Sequence, residues 1–171
     1  MAQQHRRFVP RLEAFDERAL PSVTVSYSAT DGVLTVRGDD SNDLITITDT
    51  GKDTAGSITV FDHGNPVFFS DQPVTRIEVF AGGGADTVDY WQSSDMTTNR
   101  TLAVDLGAGN DTFTAHLDGQ NIADGSGLEI QALGRKGKDT LTLDANGVNL
   151  GAGAHLTVNF RGGPGKDAIA F

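Results

Sequence analysis

The 171-residue chain has no cysteine, which removes disulfides, thiolate-bound zinc and cysteine nucleophiles from consideration. Glutamate is scarce: of 23 acidic residues only Glu13, Glu17, Glu78 and Glu129 are Glu, and the rest are Asp. Asp favours turns and metal-binding loops, whereas Glu is the better helix former, so the composition predicts a chain poor in helix. No apolar run approaches the roughly 18 residues that a membrane-spanning helix needs. Basic residues are also few, 13 against 23 acids for a net charge of −10. That balance disfavours nucleic acid or an anionic membrane as a partner and attracts cations. The four histidines, His5, His63, His116 and His155, form no H-x-x-x-H pair, and Ser22, Ser26 and Ser28 stand outside any Gly-x-Ser-x-Gly elbow. Neither a zinc pair nor a marked nucleophile follows.

What the chain does have is glycine, 21 of it, and much of it recurs with Asp. Five segments share a Gly-rich run, an Asp and a following apolar residue: Gly38 to Ile45, Ala81 to Val88, Leu106 to Phe113, Gly134 to Leu141, and Gly162 to Ile169. Their anchors Asp43, Asp86, Asp111, Asp139 and Asp167 are 43, 25, 28 and 28 residues apart. Apolar residues alternate before each segment (Leu34 and Val36, Ile77 and Val79, Leu102 and Val104, Ile130 and Ala132, Val158 and Phe160). They alternate again after it, as in Ile45 and Ile47 or Leu141 and Leu143. Period 2 with Thr on the other face is the mark of a strand buried on one side, so each module reads strand, Gly-Asp corner, strand. In the longer gap, the runs Ser57 to Phe61 and Val67 to Phe69 flank Asp62 to Pro66 and read as a hairpin excursion.

A period of 25 to 28 residues holds about three short strands and their corners. The expectation is an all-β, right-handed parallel β-helix (β-solenoid) over residues 23–171, behind a basic leader at 1–22. Ile77, Leu102, Ile130 and Val158 should then form one interior column. The alternative is an antiparallel β-sandwich with each Gly-Asp corner as a hairpin loop. Parallel stacking about 4.8 Å apart would line the aspartates up as like charges, calling for a cation or a base between them.

The five segments resemble degenerate copies of the calcium-binding nonapeptide of RTX proteins, G-G-x-G-x-D followed by a large apolar residue, with Gly162 to Ile169 the best fit. In that motif glycines let carbonyl oxygens turn inward while Asp supplies charge to a hard cation. The resemblance implies calcium at Asp43, Asp86, Asp111, Asp139 and Asp167. The Asp86–Asp111 interval is favoured, because adjacent coils there present Gly83, Gly84, Gly107 and Gly109 without Lys or Arg. The last two loops carry Arg135, Lys136, Lys138 and Lys166, which on this reading replace the metal. The motif departs from the family in occurring once per coil rather than in tandem.

Residues 11–22, Arg-Leu-Glu-Ala-Phe-Asp-Glu-Arg-Ala-Leu-Pro-Ser, are similar to the Leu-Glu-x-x-Asp/Glu-Arg-x-Leu motif that opens many large exported planctomycete proteins. The resemblance implies an extracellular or cell-surface location. Within the repeats, Arg76, Glu78 and Arg100 are catalytic candidates by elimination only. The adjacent Tyr90 and Trp91 either cap a core or stack on a sugar, with residues 92–99 beside them as a surface loop. The functional expectation is a non-enzymatic, calcium-associated repeat protein of structural, surface or adhesive role, with surface polysaccharide or a protein as further partner. The alternative is a carbohydrate-binding or carbohydrate-active β-helix.

Overall fold

A computed structural model describes residues 22–171, so the leader motif, apart from Ser22, lies outside the described residues. These are all β, with no helix. One sheet runs β1 (Thr24–Ser28), β2 (Val33–Arg37), β6 (Arg76–Phe80), β8 (Asn99–Asp105), β11 (Gly127–Leu133) and β14 (His155–Arg161), parallel from β2 onward. The second stacks β3 (Leu44–Asp49), β7 (Thr87–Gln92), β9 (Thr112–His116), β12 (Thr140–Asp144) and β15 (Ala168–Ala170) in parallel. A short third side pairs β10 (Asn121–Ile122) with β13 (Asn149–Leu150), and Met96 bridges to Ile122. The chain climbs from the first sheet through a Gly-Asp corner to the second, crosses the third side and begins again. About three turns carry all three sides. The molecule is therefore a parallel β-solenoid. The sandwich alternative fails because β2 pairs with β6 rather than with β3 across its own corner.

The remaining strands, β4 (Ile58–Asp62) and β5 (Asn65–Phe69), form the hairpin excursion in the 43-residue interval and lie antiparallel along β3. The side-chain alternation becomes interior columns through the register. Leu34, Ile77, Leu102, Ile130 and Val158 stack in one, and Ile45, Val88, Phe113, Leu141 and Ile169 in another. Except at the last coil these side chains are fully buried, each contributing about 1.5–3 kcal/mol of transfer free energy. Residues 92–99 are not a simple surface loop: Gln92 and Met96 are buried, and Met96 supplies the first rung of the third side.

The interior turns polar where the columns reach that third side. Continuing the alternation inward, Ile45 and Ile47 are followed by Asp49, Val88 and Tyr90 by Gln92, and Leu102 is preceded by Arg100. Arg100 Nε donates to Asp49 Oδ2 at 2.8 Å, and its Nη2 donates to Asp49 Oδ1 at 3.3 Å and to the Lys52 carbonyl at 2.9 Å. The Tyr90 hydroxyl also donates to Asp49 Oδ2, at 2.8 Å, and the Gly51 N–H to Oδ1 at 2.7 Å. Burial, reinforced by the Asp49 charge, pushes the Tyr90 phenol well above its ordinary range. Both members of the ion pair are inaccessible to water, so removing one strands the other's charge. Arg100→Met is expected to cost about 3–5 kcal/mol in urea denaturation. Adding Asp49→Leu should recover part of that loss; a single Arg100→Met variant as stable as the parent would contradict this account.

Candidate functional site

The Gly-Asp corners stack directly on one another, and the structure brings all five predicted aspartates into a single ladder. The backbone N–H of Asp43 donates to Asp86 Oδ1 at 2.9 Å, that of Asp86 to Asp111 Oδ1 at 2.9 Å, that of Asp111 to Asp139 Oδ1 at 3.1 Å, and that of Asp139 to Asp167 Oδ1 at 3.0 Å. Each Asp carbonyl in turn accepts from the residue after the next Asp: Thr87, Thr112, Thr140 and Ala168, at 2.8–2.9 Å. Every rung therefore ties one coil's backbone to the next coil's side chain. Asp43, Asp86, Asp111 and Asp139 are at most 2% exposed.

Glycine is what lets the corners close up. A Cβ on Gly109 would overlap the Gly84 carbonyl oxygen, and one on Gly137 would overlap that of Gly109. Gly83 pairs across to Ala108, whose N–H and C=O bond Gly82 O and Gly84 N–H; the Gly107 carbonyl accepts from Lys136. The four glycines read as calcium-loop residues thus hold neighbouring coils in contact. At Gly84, Gly107 and Gly109 a Cβ would run into the backbone of the neighbouring coil, whereas at Gly83 the nearest backbone atom is 3.8 Å away.

One oxygen of each of the four buried carboxylates is left over. Asp86, Asp111 and Asp139 each bury Oδ2 without a partner among the described residues. Asp43 uses Oδ2 to accept from the Asp39 N–H at 3.0 Å and leaves Oδ1 free. Loss of hydration raises the Asp86 carboxyl from 3.8 to about 6, with the Asp111 and Asp43 charges adding to the effect and the Asp43 N–H opposing it. The carboxyls of Asp111 and Asp139 shift upward for the same first reason.

The basic residues of the last two loops do not neutralise the ladder, contrary to the sequence expectation. Arg135 turns away to Asp105, with Nη2 2.6 Å from Oδ2. Lys136, Lys138 and Lys166 are exposed and form no ion pair among the described residues. Long amines on the outer rim remain hydrated there at no desolvation cost, whereas the carboxylates point inward. The catalytic candidates do not assemble either: Arg76 pairs with Glu78 on the outer face at 2.7 Å, while Arg100 is sealed inside with Asp49. Tyr90 and Trp91 face opposite ways, Tyr90 into the core and Trp91 outward, 45% exposed and stacked on His116 at 3.7 Å. What sequence reasoning missed is the Asp49, Tyr90 and Arg100 cluster. The signal was the alternation itself, which places all three positions inward.

No protein-family model, no curated protein and no solved structure matches the chain.

The raised carboxyl groups fix a sign for the pH dependence. Between pH 3.8 and about 6 the folded chain holds a proton on Asp86 that the unfolded chain has released, so stability falls as pH rises through that window and levels off above it. Replacing Asp86 with Asn keeps an acceptor for the Asp43 N–H and removes the buried charge. In EDTA at pH 7.5, Asp86→Asn is expected to be more stable than the parent by about 1–3 kcal/mol. The gain should shrink to nothing below pH 4. Asp86→Ala, which loses the rung, should be less stable than either at both pH values; an Asn variant with a gain independent of pH would refute the assignment.

Proposed function

We propose that the chain is a non-enzymatic, exported, RTX-like repeat module of structural, surface or adhesive role, and that calcium is the counter-ion of its aspartate ladder. The row of buried, unpartnered carboxylate oxygens on Asp43, Asp86, Asp111 and Asp139 carries this reading. Stacked carboxylates deprived of water favour either a proton or a hard cation, and calcium takes anionic oxygen readily. The net charge of −10 draws cations to the surface as a whole. No three acidic or histidine side chains converge among the described residues, so the ladder would supply one free oxygen per coil, with backbone oxygens or water completing the shell. Calcium would supply charge neutralisation and cross-linking between coils. The aspartates would hold it, and the glycines would set the spacing.

Calcium that binds the folded chain should raise its stability by mass action, by about 2.7 kcal/mol at a hundredfold excess over the dissociation constant. Thermal melts in calcium and in EDTA, alongside a calorimetric titration, measure this. Asp86→Asn, Asp111→Asn and Asp139→Asn are each expected to remove most of the increment, and Asp167→Asn less, since its coil is the most exposed. Identical melting curves in calcium and EDTA would sink the metal and leave the ladder a purely hydrogen-bonded device.

A second reading, polysaccharide binding, is favoured by one feature: the exposed Trp91 ring, stacked on His116, whose Nε2 lies 3.7 Å from Asp89 Oδ1. Exposed indoles of this kind stack on sugar rings. Saturable binding to a soluble polysaccharide, lost in Trp91→Ala with an unchanged melting point, would support it. Absence of binding to neutral and acidic polysaccharides alike would remove it.

A further inference from the structure

The two ends of the solenoid are unequal. At the first end both long sheets are closed by antiparallel strands, β1 along β2 and the β4–β5 hairpin along β3. The hairpin's outer strand carries Pro66, and its pairing shifts at Val60/Phe61, two features that blunt a sheet edge. At the other end, no strand among the described residues pairs with the outer edge of β14, although the Phe171 ring stacks on that of Phe160. This strand pairs with β11 alone, through an unbroken register of seven residues from Gly127↔His155 to Leu133↔Arg161, with no proline and no bulge. The core is bare there as well. Leu128 and Ile130 are fully buried, whereas Leu156 and Val158 stacked on them are half-buried, and Leu150, Ile169 and Phe171 are 52%, 44% and 77% exposed.

The hydrogen bonds say which groups are free. The His155 N–H donates to the Ser126 carbonyl at 3.1 Å, and the Arg161 carbonyl accepts from the Gly134 N–H at 2.8 Å. Odd-numbered residues of β14 therefore face β11, and the N–H and C=O of Leu156, Val158 and Phe160 point to the open edge.

We propose that this edge is the interface of a homodimer, in which β14 of two copies pair antiparallel about a twofold axis at Val158. Directly opposed residues of an antiparallel pair lie on the same face, so inward residues must meet inward residues. Among the registers that satisfy this, the one centred on Val158 overlaps the whole strand. It sets Leu156 against Phe160 of the second copy and Val158 against its own equivalent. These are the residues whose backbone groups are free, so they fall at the hydrogen-bonded positions of the new ladder. The interior columns then run on from one copy into the other, extending the contact that β11 already makes with β14. Thr157 faces Asn159 of the second copy on the outside. Head-to-tail stacking would set β15 against the hairpin's outer strand, which carries Pro66, and would offer the seven residues of β14 only the five-residue edge of β1. A twofold contact is closed and consumes both β14 edges at once. The inference rests on the fold alone and is independent of the calcium reading.

Sedimentation equilibrium of the full chain, in calcium and in EDTA, is expected to give twice the 18.0 kDa chain mass. The double variant Thr157→Lys with Asn159→Lys opposes like charges across the axis twice without touching the core, and should weaken the dimer about tenfold or more. Thr157→Lys with Asn159→Glu opposes unlike charges and should restore it, with melting points of the dissociated chains unchanged. A full chain that stays monomeric at 100 µM (roughly the upper range at which a weak dimer would form), or a Lys/Lys variant as dimeric as the parent, would overturn the proposal. So would open-ended filaments. A chain that dimerises only after residues 1–21 are removed would show that the leader, and not a second copy, covers the end.

Discussion

A solenoid corner has to satisfy a backbone N–H that points along the stacking axis, where no strand partner stands beside it. Here the carboxylate of the next coil's aspartate does so, and much of the rest depends on that contact. It sets which residue of one coil lies over which residue of the next. The Leu, Ile and Val columns of the two sheets inherit their registers from the aspartate that precedes or follows them. It also demands glycine in the corners, since the carboxylate reaches the neighbouring N–H only when the loop backbones touch. The same arrangement leaves one oxygen of each of the four buried carboxylates, on Asp43, Asp86, Asp111 and Asp139, dry and unshared. The ladder is therefore at once the fold's registration device and its least comfortable electrostatic feature.

Two polar systems are buried in this molecule and they solve the problem of charge differently. At the inner corner, Asp49 is neutralised by Arg100 and further held by Tyr90 and the Gly51 N–H, so its charge has company in every direction. Along the ladder, each Asp has neutral N–H partners and like-charged neighbours. In the first arrangement the opposite charges meet inside the cluster, with Arg100 Nη1 the one guanidinium nitrogen left without a partner among the described residues. The second is open to a proton or a cation, which is why function is sought there and not at the more deeply sealed arginine.

The architecture was legible because two periodicities agreed. Alternation gave the buried face, and the constant offset from Asp86, Asp111, Asp139 and Asp167 gave the stacking, so the column from Ile77 to Val158 could be written down residue by residue. The site was legible in position, but the hydrogen bonds that join its rungs were not. A reading based on side chains treats a row of carboxylates as charges in need of a cation or a lysine. The backbone N–H that takes one oxygen of each is the same in every sequence and leaves no mark on this one. The lysines at 136, 138 and 166 misled for a related reason: adjacency in a loop does not say whether a long side chain turns in or out. Met96 escaped notice because a single bridging residue on the short third side has no alternation to announce it.

The last two coil intervals are each 28 residues, and β11 stacks on β14 and on β8 with every position matched across seven residues. A stack of this kind has no intrinsic length. Duplication or deletion of one whole coil would return each rung, column and glycine contact to an equivalent neighbour, whereas a single residue gained inside a strand would turn its apolar side chains to solvent. Coil number is thus free to drift in multiples of a period while sequence within the coil is held, and the 43-residue interval shows where extra length is tolerated: between β3 and β6, as a hairpin set against the end of the stack.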